Sequence, residues 1–222
     1  MFGDNSAYNR FTNLDSLEDR IIYYLLSEDN KSEEQLKLVH TIWRILYYND
    51  NKCLIDDATH PLPKFNDIRR LIDNDSINQN TKRVFRSPWV EDTFDAQASI
   101  LRIYIDSITP VNRLTSQVNI AVETIIHNKL TNVVNPLYDE NDEIINPTEE
   151  YPLITTKNRC SILLKCVLAL LNGADVAGIG TLQFNRKINY YNQSRLGIWN
   201  NRNYYGYKSV FGTYMSGVST EC

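Results

Sequence analysis

The chain contains few of the residues from which metal sites are usually built. Its 222 residues include only three histidines, His40, His60 and His127, which are scattered and have no further ligand three or four positions downstream. Zinc sites require clustered His, Cys, Asp or Glu at regular spacing. We therefore expect structural or surface roles for the histidines, and neither a metal nor a cofactor.

Cysteine is also scarce, and its arrangement excludes a disulfide framework. Cys53, Cys160, Cys166 and Cys222 form no CxxC pair, and Cys160 and Cys166 lie in an apolar helical stretch. A free cysteine in such a stretch behaves as a small hydrophobic residue. Reduced, structural thiols are expected, as in a reducing compartment.

No run of about 18 apolar residues is present, so no membrane-spanning segment is predicted. The first residues, MFGDNSAYNRF, lack the basic and apolar regions of a secretory signal, which predicts a protein made in a cytoplasm. The net charge of −4 argues against tight, non-specific binding of nucleic acid. A hydrophobic content of 42% with 23% charged residues is that of an ordinary globular domain.

Three of the eight glycines lie close together in LLNGADVAGIGTLQF, which raises the question of a phosphate-binding loop. Gly173 and Gly178 have the P-loop spacing, but Ile179-Gly180 replaces the Lys-Ser/Thr pair. A helix also precedes the glycines, so a phosphate would face the unfavourable end of its dipole. We predict instead that Gly173 ends the helix with a positive φ, that Gly178 and Gly180 allow a turn, and that no anion binds.

Motifs for other chemistry are missing as well. The acidic segment Asp139–Glu150 resembles a calcium-binding loop, with possible ligands at Asp139, Asn141, Glu143 and Glu150. However, Ile144 occupies the position at which that loop requires glycine, and Pro147 occupies the position of a ligand. There is no GxSxG, and no cysteine carries a local catalytic signature. No catalytic residue is predicted, although distant residues can assemble a triad without a motif.

Hydrophobic periodicity predicts three helices. The first begins near Ser16, the second begins at a capping box at Ser32 and runs to about Tyr48, and the third covers about Thr156–Asn172. Residues 50–98 are expected to be mostly irregular and to pack over the surface or onto a neighbouring chain, with Pro63 opening a short helix through Ile72.

Alternating residues predict the strands. Leu101, Ile103 and Ile105 and then Val118, Ile120 and Val122 indicate an antiparallel hairpin with one buried face, and Thr181–Ile188 and Tyr204–Met215 follow as further strands. The fold class is therefore α+β: two N-terminal helices and a mostly antiparallel sheet with a third helix packed on it. We expect a flexible arm at 1–14, one domain at 15–215 (a helical and irregular part to 95, then β-β-α-β-β) and a tail at 216–222.

Two segments stand out as candidate functional surfaces. The basic, aromatic segment RLGIWNNRNYYGYK offers Arg195, Trp199, Arg202, Tyr204 and Tyr205 as an assembly interface or, alternatively, as a binding surface for single-stranded nucleic acid. The second segment is a solvated acidic loop or β-tip that contains the carboxylates Asp139, Glu140, Asp142 and Glu143.

Residues 95–215 contain a characteristic series of elements: LRIYID, TSQVNIAVETIIHN, the helix NRCSILLKCVLALLNG, the turn and strand GIGTLQF, and the closing strand YYGYKSVFGTYM. In the order of these elements, this part of the chain resembles the neck and tail-terminator proteins of tailed bacteriophages. The long acidic insertion and the 190–203 loop depart from that pattern and are also compatible with an adaptor, stopper or collar protein of a short-tailed phage.

The resemblance implies a non-enzymatic virion protein, assembled in the host cytoplasm and placed at the head–tail junction. It implies a closed ring of six or twelve copies that contacts other neck, portal or tail proteins, has no role at a membrane, and lets genomic DNA pass without sequence-specific binding. On this hypothesis the acidic loop lines the channel, and charge reversal there impairs DNA passage but not assembly.

Overall fold

The computed structural model describes residues 16–72, 81–86, 96–112, 115–134, 137–138, 144–145, 156–184 and 203–216. The helices of these residues are α1 (Leu17–Leu26), α2 (Glu33–Tyr47), α3 (Phe65–Arg69) and α4 (Arg159–Leu171). The strands are β1 (Val84–Phe85), β2 (Ser99–Pro110), β3 (Thr115–His127), β4 (Asn132–Val134), β5 (Leu137–Tyr138), β6 (Ile144–Ile145), β7 (Thr156–Asn158), β8 (Asp175–Val176), β9 (Gly180–Thr181), β10 (Gln183–Phe184) and β11 (Tyr204–Ser216). The described part contains no helix with the length and apolar character needed to cross a membrane.

The two N-terminal helices form where their capping and periodicity predict them. In α1, Leu17, Ile21 and Leu25 are fully buried and share one face because they are four residues apart. At the start of α2, Ser32 Oγ accepts from the Gln35 N–H at 3.3 Å, and Gln35 Oε1 accepts from the Ser32 N–H at 3.0 Å. The predicted capping box is therefore confirmed.

The main sheet has the strand order β1-β2-β3-β11-β10. Strands β2, β3, β11 and β10 pair antiparallel, whereas β1 pairs parallel to β2. The α+β class with a mostly antiparallel sheet is confirmed. The prediction that residues 50–98 are mostly irregular is wrong in one respect, because these residues also form the edge strand β1. Helix α3 begins at Phe65 and ends at Arg69, so it is shorter than predicted.

The hairpin of β2 and β3 is confirmed, but the prediction that only one face is buried is wrong. The helices pack on the face that carries Ile103, Val122 and Phe211, all fully buried. On the opposite face Ile100 and Ile125 are also fully buried. The alternation with polar residues suggested a solvated face, but several of those polar residues pair with one another and are buried.

Helix α4 begins later than predicted because the residues before it form a strand. Strand β7 pairs with β4, and Asn158 then caps the helix by accepting the Ser161 N–H at 3.0 Å. The strand predicted for Thr181–Ile188 is interrupted at Leu182, and its residues after Phe184 lie outside the described part. The last strand, β11, is confirmed.

Arg159, at the first position of α4, ties this helix to the end of α2. Its guanidinium donates to the carbonyls of Ile45 at 2.6 Å and Asp50 at 2.7 Å, and to that of Tyr48. The last carbonyls of a helix have no partner within the helix, and they lie at the negative end of its dipole. A fully buried cation therefore satisfies them and fixes the loop that follows α2.

The glycine-rich stretch is a turn, as predicted. Gly173, Gly178 and Gly180 have φ of 82°, 78° and 93°. The N–H of Gly173 donates to the carbonyl of Leu182 at 2.8 Å, and β8 pairs antiparallel with β9 around the second turn. The predicted positive φ at the end of the third helix is confirmed.

Candidate assembly surface

The three long strands extend well beyond the helices that cover them. Strand β3 has 13 residues, about 43 Å at roughly 3.3 Å per residue. Helix α4 also has 13 residues but spans only about 20 Å. Burial along β2 changes accordingly, from buried at Ser99–Ile103, through partly buried, to exposed at Ile108–Pro110. One end of the sheet therefore emerges from the core along β2 and the start of β3, while Thr213 and Met215 of β11 stay buried. Residues 107–112 and 115–117, together with Tyr214, are called the tip.

The tip exposes large hydrophobic side chains. Ile108 is 43% exposed, Val111 55% and Tyr214 65%; among the described residues, the other large hydrophobic residues this exposed, Tyr23 and Tyr47, lie on α1 and α2. Strand register puts Ile108 and Tyr214 on opposite faces of the sheet. The tip is therefore apolar on both faces and at its end, as expected of an element that inserts into a recess on a partner.

Charge is missing from the described residues of the tip. Ser107–Asn112, Thr115–Gln117 and Tyr214 have only uncharged side chains. The cores of protein interfaces are depleted of charged residues and enriched in aromatic ones, whereas ordinary surfaces carry many charges. The described residues of the tip therefore share one property of an interface core, the absence of charge, while its apolar contribution comes from Ile108, Val111 and Tyr214.

A buried polar cluster joins the strands at the base of the tip. Arg102 and Glu123 are 5% and 3% exposed and form an ion pair across β2 and β3. Tyr104 Oη donates to Glu123 Oε1 at 2.7 Å, and burial together with this hydrogen bond raises the pKa of Tyr104. Lys208 of β11 pairs with Asp106 of β2. The cluster thus links all three strands, from Arg102 in the buried part of β2 to Asp106 beside the tip, which stiffens this part of the sheet.

The outer edge of β2 is protected against pairing with a further strand. The register shifts between Ile105 and Ser107, which marks a bulge at Asp106. The Glu18 carboxylate lies near the Ile105 N–H, which lowers its pKa against the larger raising effect of burial, and the strand ends at Pro110, which has no N–H. Bulges, charges and proline are the usual features that keep edge strands from aggregating. Contacts at the tip therefore rely on side chains rather than on sheet extension.

The structure separates the two described residues of the predicted interface. Tyr204 and Tyr205 are consecutive in β11, so they lie on opposite faces of the sheet. Tyr204 Oη donates to the Ala96 carbonyl, and its ring meets His127 edge-on at 5.0 Å between centroids. Tyr205 Oη accepts from Asn158 Nδ2 at 3.2 Å. Both hydroxyls are therefore engaged within the chain.

The remaining predicted site residues lie outside the described part. These are Arg195, Trp199 and Arg202 of the interface and Asp139, Glu140, Asp142 and Glu143 of the acidic loop. The short antiparallel pair β5–β6 brackets the acidic residues, as a β-tip requires. Their roles stay predictions.

Sequence reasoning missed a carboxylate pair around His60. Its Nε2 lies 2.9 Å from Asp50 Oδ2, and its Nδ1 lies 3.2 Å from Asp57 Oδ1. The hydrogen bond with Asp50, assisted by Asp57, raises the pKa of His60. The sequence does contain a signal for this pair, because Asp57 precedes His60 by three residues. The spacing criterion considered only residues that follow a histidine. Because both ring nitrogens face carboxylates, the arrangement favours an imidazolium that holds the loop after α2.

The described cysteines are buried, as expected of structural thiols. Cys53, Cys160 and Cys166 are free, and burial raises the pKa of each to about 11. At neutral pH they are therefore protonated and poor nucleophiles. Within the described residues, no three His, Cys, Asp or Glu side chains are grouped so that they could hold a metal ion.

Comparison with known proteins identifies the family. The family model YomW matches residues 40–213, more than half of the chain, and the chain therefore belongs to the YomW family. This family is phage-derived, from an SPbeta-like prophage gene, which indicates a phage origin. No curated protein matches the chain. The matched region contains α3, α4 and the β2–β3 part of the tip, and it ends at residue 213, before Tyr214.

Proposed function

We propose that this YomW-family chain is a structural subunit of a phage particle that forms a closed ring of identical copies at the head–tail junction. The observation that carries the proposal is the tip, whose described residues are uncharged and expose Ile108, Val111 and Tyr214. In a monomer these side chains remain in water, whereas an assembly buries them.

A ring requires two different patches on each subunit, one of which binds the other on the next copy. The tip suits one half of such a heterologous contact. It projects from one end of the molecule, so that copies in contact through their tips alone would form a pair, whereas insertion into a different surface continues around a ring. The stiff polar cluster at its base fixes the direction of the projection.

Within this proposal the ring joins neighbouring rings of the connector and surrounds the passing DNA. The acidic loop at Asp139–Glu143 is the part of the sequence suited to line the channel, because carboxylates repel the phosphate backbone and let it slide. The alternative function, a module for single-stranded nucleic acid, receives no support from the described part of the basic segment. Lys208 is held there by Asp106 and lies 5.5 Å from the centre of the Tyr104 ring.

Purified particles test the proposed location. If the chain is a connector subunit, mass spectrometry of particles finds it in a constant ratio to the other structural proteins, and an antibody labels it at the junction of head and tail. Its absence from particles, or labelling spread over the capsid, would overturn the proposal.

Variants of the tip test the proposed contact. We expect Ile108→Lys with Tyr214→Lys to weaken self-association on the order of a thousandfold, because each central interface side chain contributes at least about 2 kcal/mol. Both positions are exposed, so the fold is retained. Light scattering after size exclusion gives the mass, and Tyr47→Lys, another exposed aromatic residue on α2, is the matched control. A double variant that keeps the wild-type mass rules out the tip as the interface.

A further inference from the structure

A groove of about 630 Å³ lies between α1 and the glycine turn. Tyr23 and Tyr24 of α1 form one wall, and Asp29 of the following loop and Asp175 of β8 lie along its rim. Both aspartates are exposed. The groove combines aromatic rings with carboxylates, which is the chemistry that binds guanidinium groups.

The wall formed by the turn is fixed in place. Arg20 Nη1 donates to the Ala177 carbonyl at 2.9 Å, and a Cβ built at Gly178 would lie 1.6 Å from the same nitrogen. Arg20 is the one basic residue that lines the groove, and its guanidinium packs against the turn. The Arg20 guanidinium is therefore engaged by the backbone of the turn, whereas Asp29 and Asp175 line the groove.

Lys31 already occupies the face of Tyr24, and burial lowers the pKa of Lys31 to about 8, so the part of the groove open to a guanidinium is the exposed ring of Tyr23 with the two aspartates. The ammonium of Lys31 lies 3.0 Å from the centre of the Tyr24 ring. Burial, and after it the negative charge of Asp175, raises the pKa of Tyr24. Tyr23 Oη donates to Asp29, which orients that carboxylate. An incoming guanidinium therefore meets two carboxylates and the face of an exposed tyrosine.

The chain carries a segment of complementary charge. From Val176 to Thr220 the sequence has no aspartate or glutamate, while Arg186, Lys187, Arg195 and Arg202 give residues 185–202 a strong positive charge. Trp199 lies between the two distal arginines. Long stretches without a single acidic residue are unusual in a chain whose net charge is −4.

We propose that this groove binds the basic segment 185–202 of a neighbouring copy, with Arg195 and Arg202 paired to Asp29 and Asp175. The inference rests on the proposed function, since it supplies a second contact of the ring. Groove and segment are different patches of one chain, so each copy binds the next through a heterologous contact, which gives a ring when the rotation between neighbouring copies closes.

Charge exchange between two variants tests the pairing. The groove variant carries Asp29→Lys with Asp175→Lys, and the segment variant carries Arg195→Glu with Arg202→Glu. Each alone brings like charges together, and we expect self-association to weaken at least about a hundredfold. When the two are mixed, each groove meets a segment of opposite charge, and assemblies re-form with the two chains in equal amounts. Glu33→Lys with Glu34→Lys, an equal change of charge at the exposed start of α2, is the matched control.

Native mass spectrometry reads the outcome, with circular dichroism to verify folding. Recovery on mixing supports the inference. If the wild type forms rings and both variants do so equally well, the groove contact is wrong while the proposed function stands. A chain that carries all four changes is compared with the mixture of the two variants. If this chain assembles and the mixture does not, the segment binds its own groove and the contact between copies is refuted. A wild type that forms only pairs, broken by either variant and restored by mixing, supports the contact and contradicts the ring.

Discussion

At the scale of single residues, Gly173 and Gly178 share a positive φ but differ in their surroundings. Replacing either by alanine forces an L side chain into the left-handed region, which costs about 1–2 kcal/mol. A Cβ at Gly173 has no atom within 4 Å, whereas one at Gly178 displaces the Arg20 guanidinium from the Ala177 carbonyl. We therefore expect Gly178→Ala to reduce the free energy of unfolding by about 1 kcal/mol more than Gly173→Ala.

Urea unfolding of the two variants measures this difference. In an Arg20→Met background the hydrogen bond is already absent, so the two alanine variants should then cost nearly the same. An equal cost in the wild-type background would show that Arg20 does not stabilise the turn.

His60 makes stability depend on pH. The unfolded imidazole has a pKa of about 6.5, and Asp50 and Asp57 raise that pKa in the folded protein. The contribution of His60 is therefore complete below about pH 6.5 and is lost as the pH rises through the folded-state pKa. We expect the free energy of unfolding to fall over that range in the wild type and to stay flatter in His60→Gln. Denaturation between pH 5 and 9 measures it, and parallel curves would contradict the assignment.

At the scale of elements, the Arg102–Glu123 pair decides how firmly β2 and β3 are joined at the base of the tip. Arg102→Met leaves a buried carboxylate without its ion-pair partner, and we expect a loss of about 3–5 kcal/mol. Arg102→Met with Glu123→Leu removes both charges, so the double variant should lose less than Arg102→Met alone. Chemical unfolding of the wild type and the two variants checks this order, and a double variant that loses more than Arg102→Met alone would contradict the assignment of the pair.

The elements were largely predictable because local signals agree with tertiary packing. Ser32 with Gln35 marks the start of α2, and the spacing of Leu163, Val167 and Leu170 places the buried face of α4. Strand β1 was not predictable. Val84–Phe85 is too short to show a period, and its pairing with Leu101 and Arg102 joins residues far apart in sequence.

Burial on the second face of the sheet was hidden for a related reason. Arg102 and Glu123 suggest a solvated face when each strand is considered alone. Only the register, which places them directly opposite one another, shows that each neutralises the other. Sequence periodicity reports the polarity of a side chain but not its partner across a sheet.

At the scale of the whole molecule, the tip results from a mismatch in length between layers. Helices rise about 1.5 Å per residue and strands about 3.3 Å, so helices and strands of equal residue number cannot cover one another. Sequence alone showed both the helices and the strands. It did not show which end of the strands the helices cover, so Ile108 and Tyr214 were indistinguishable from core residues of the same alternating pattern.

The tip and the groove give the molecule two distinct surfaces for contact with its copies. The described residues of the tip are uncharged, and a contact made by Ile108, Val111 and Tyr214 should persist at high salt. The groove is acidic, so a contact there should weaken as salt screens the charges, with a screening length of about 8 Å at physiological ionic strength. Because only one of the two contacts weakens with salt, the assembly should become less stable at high ionic strength but should not dissociate completely.

Electron microscopy of the purified wild-type protein, beside Ile108→Lys with Tyr214→Lys, tests the central claim most directly. The proposed function predicts closed rings with a constant number of subunits and a central opening wide enough for duplex DNA, and it predicts that the tip variant shows separate subunits. Separate subunits in both samples, or open filaments in the wild type, would contradict it.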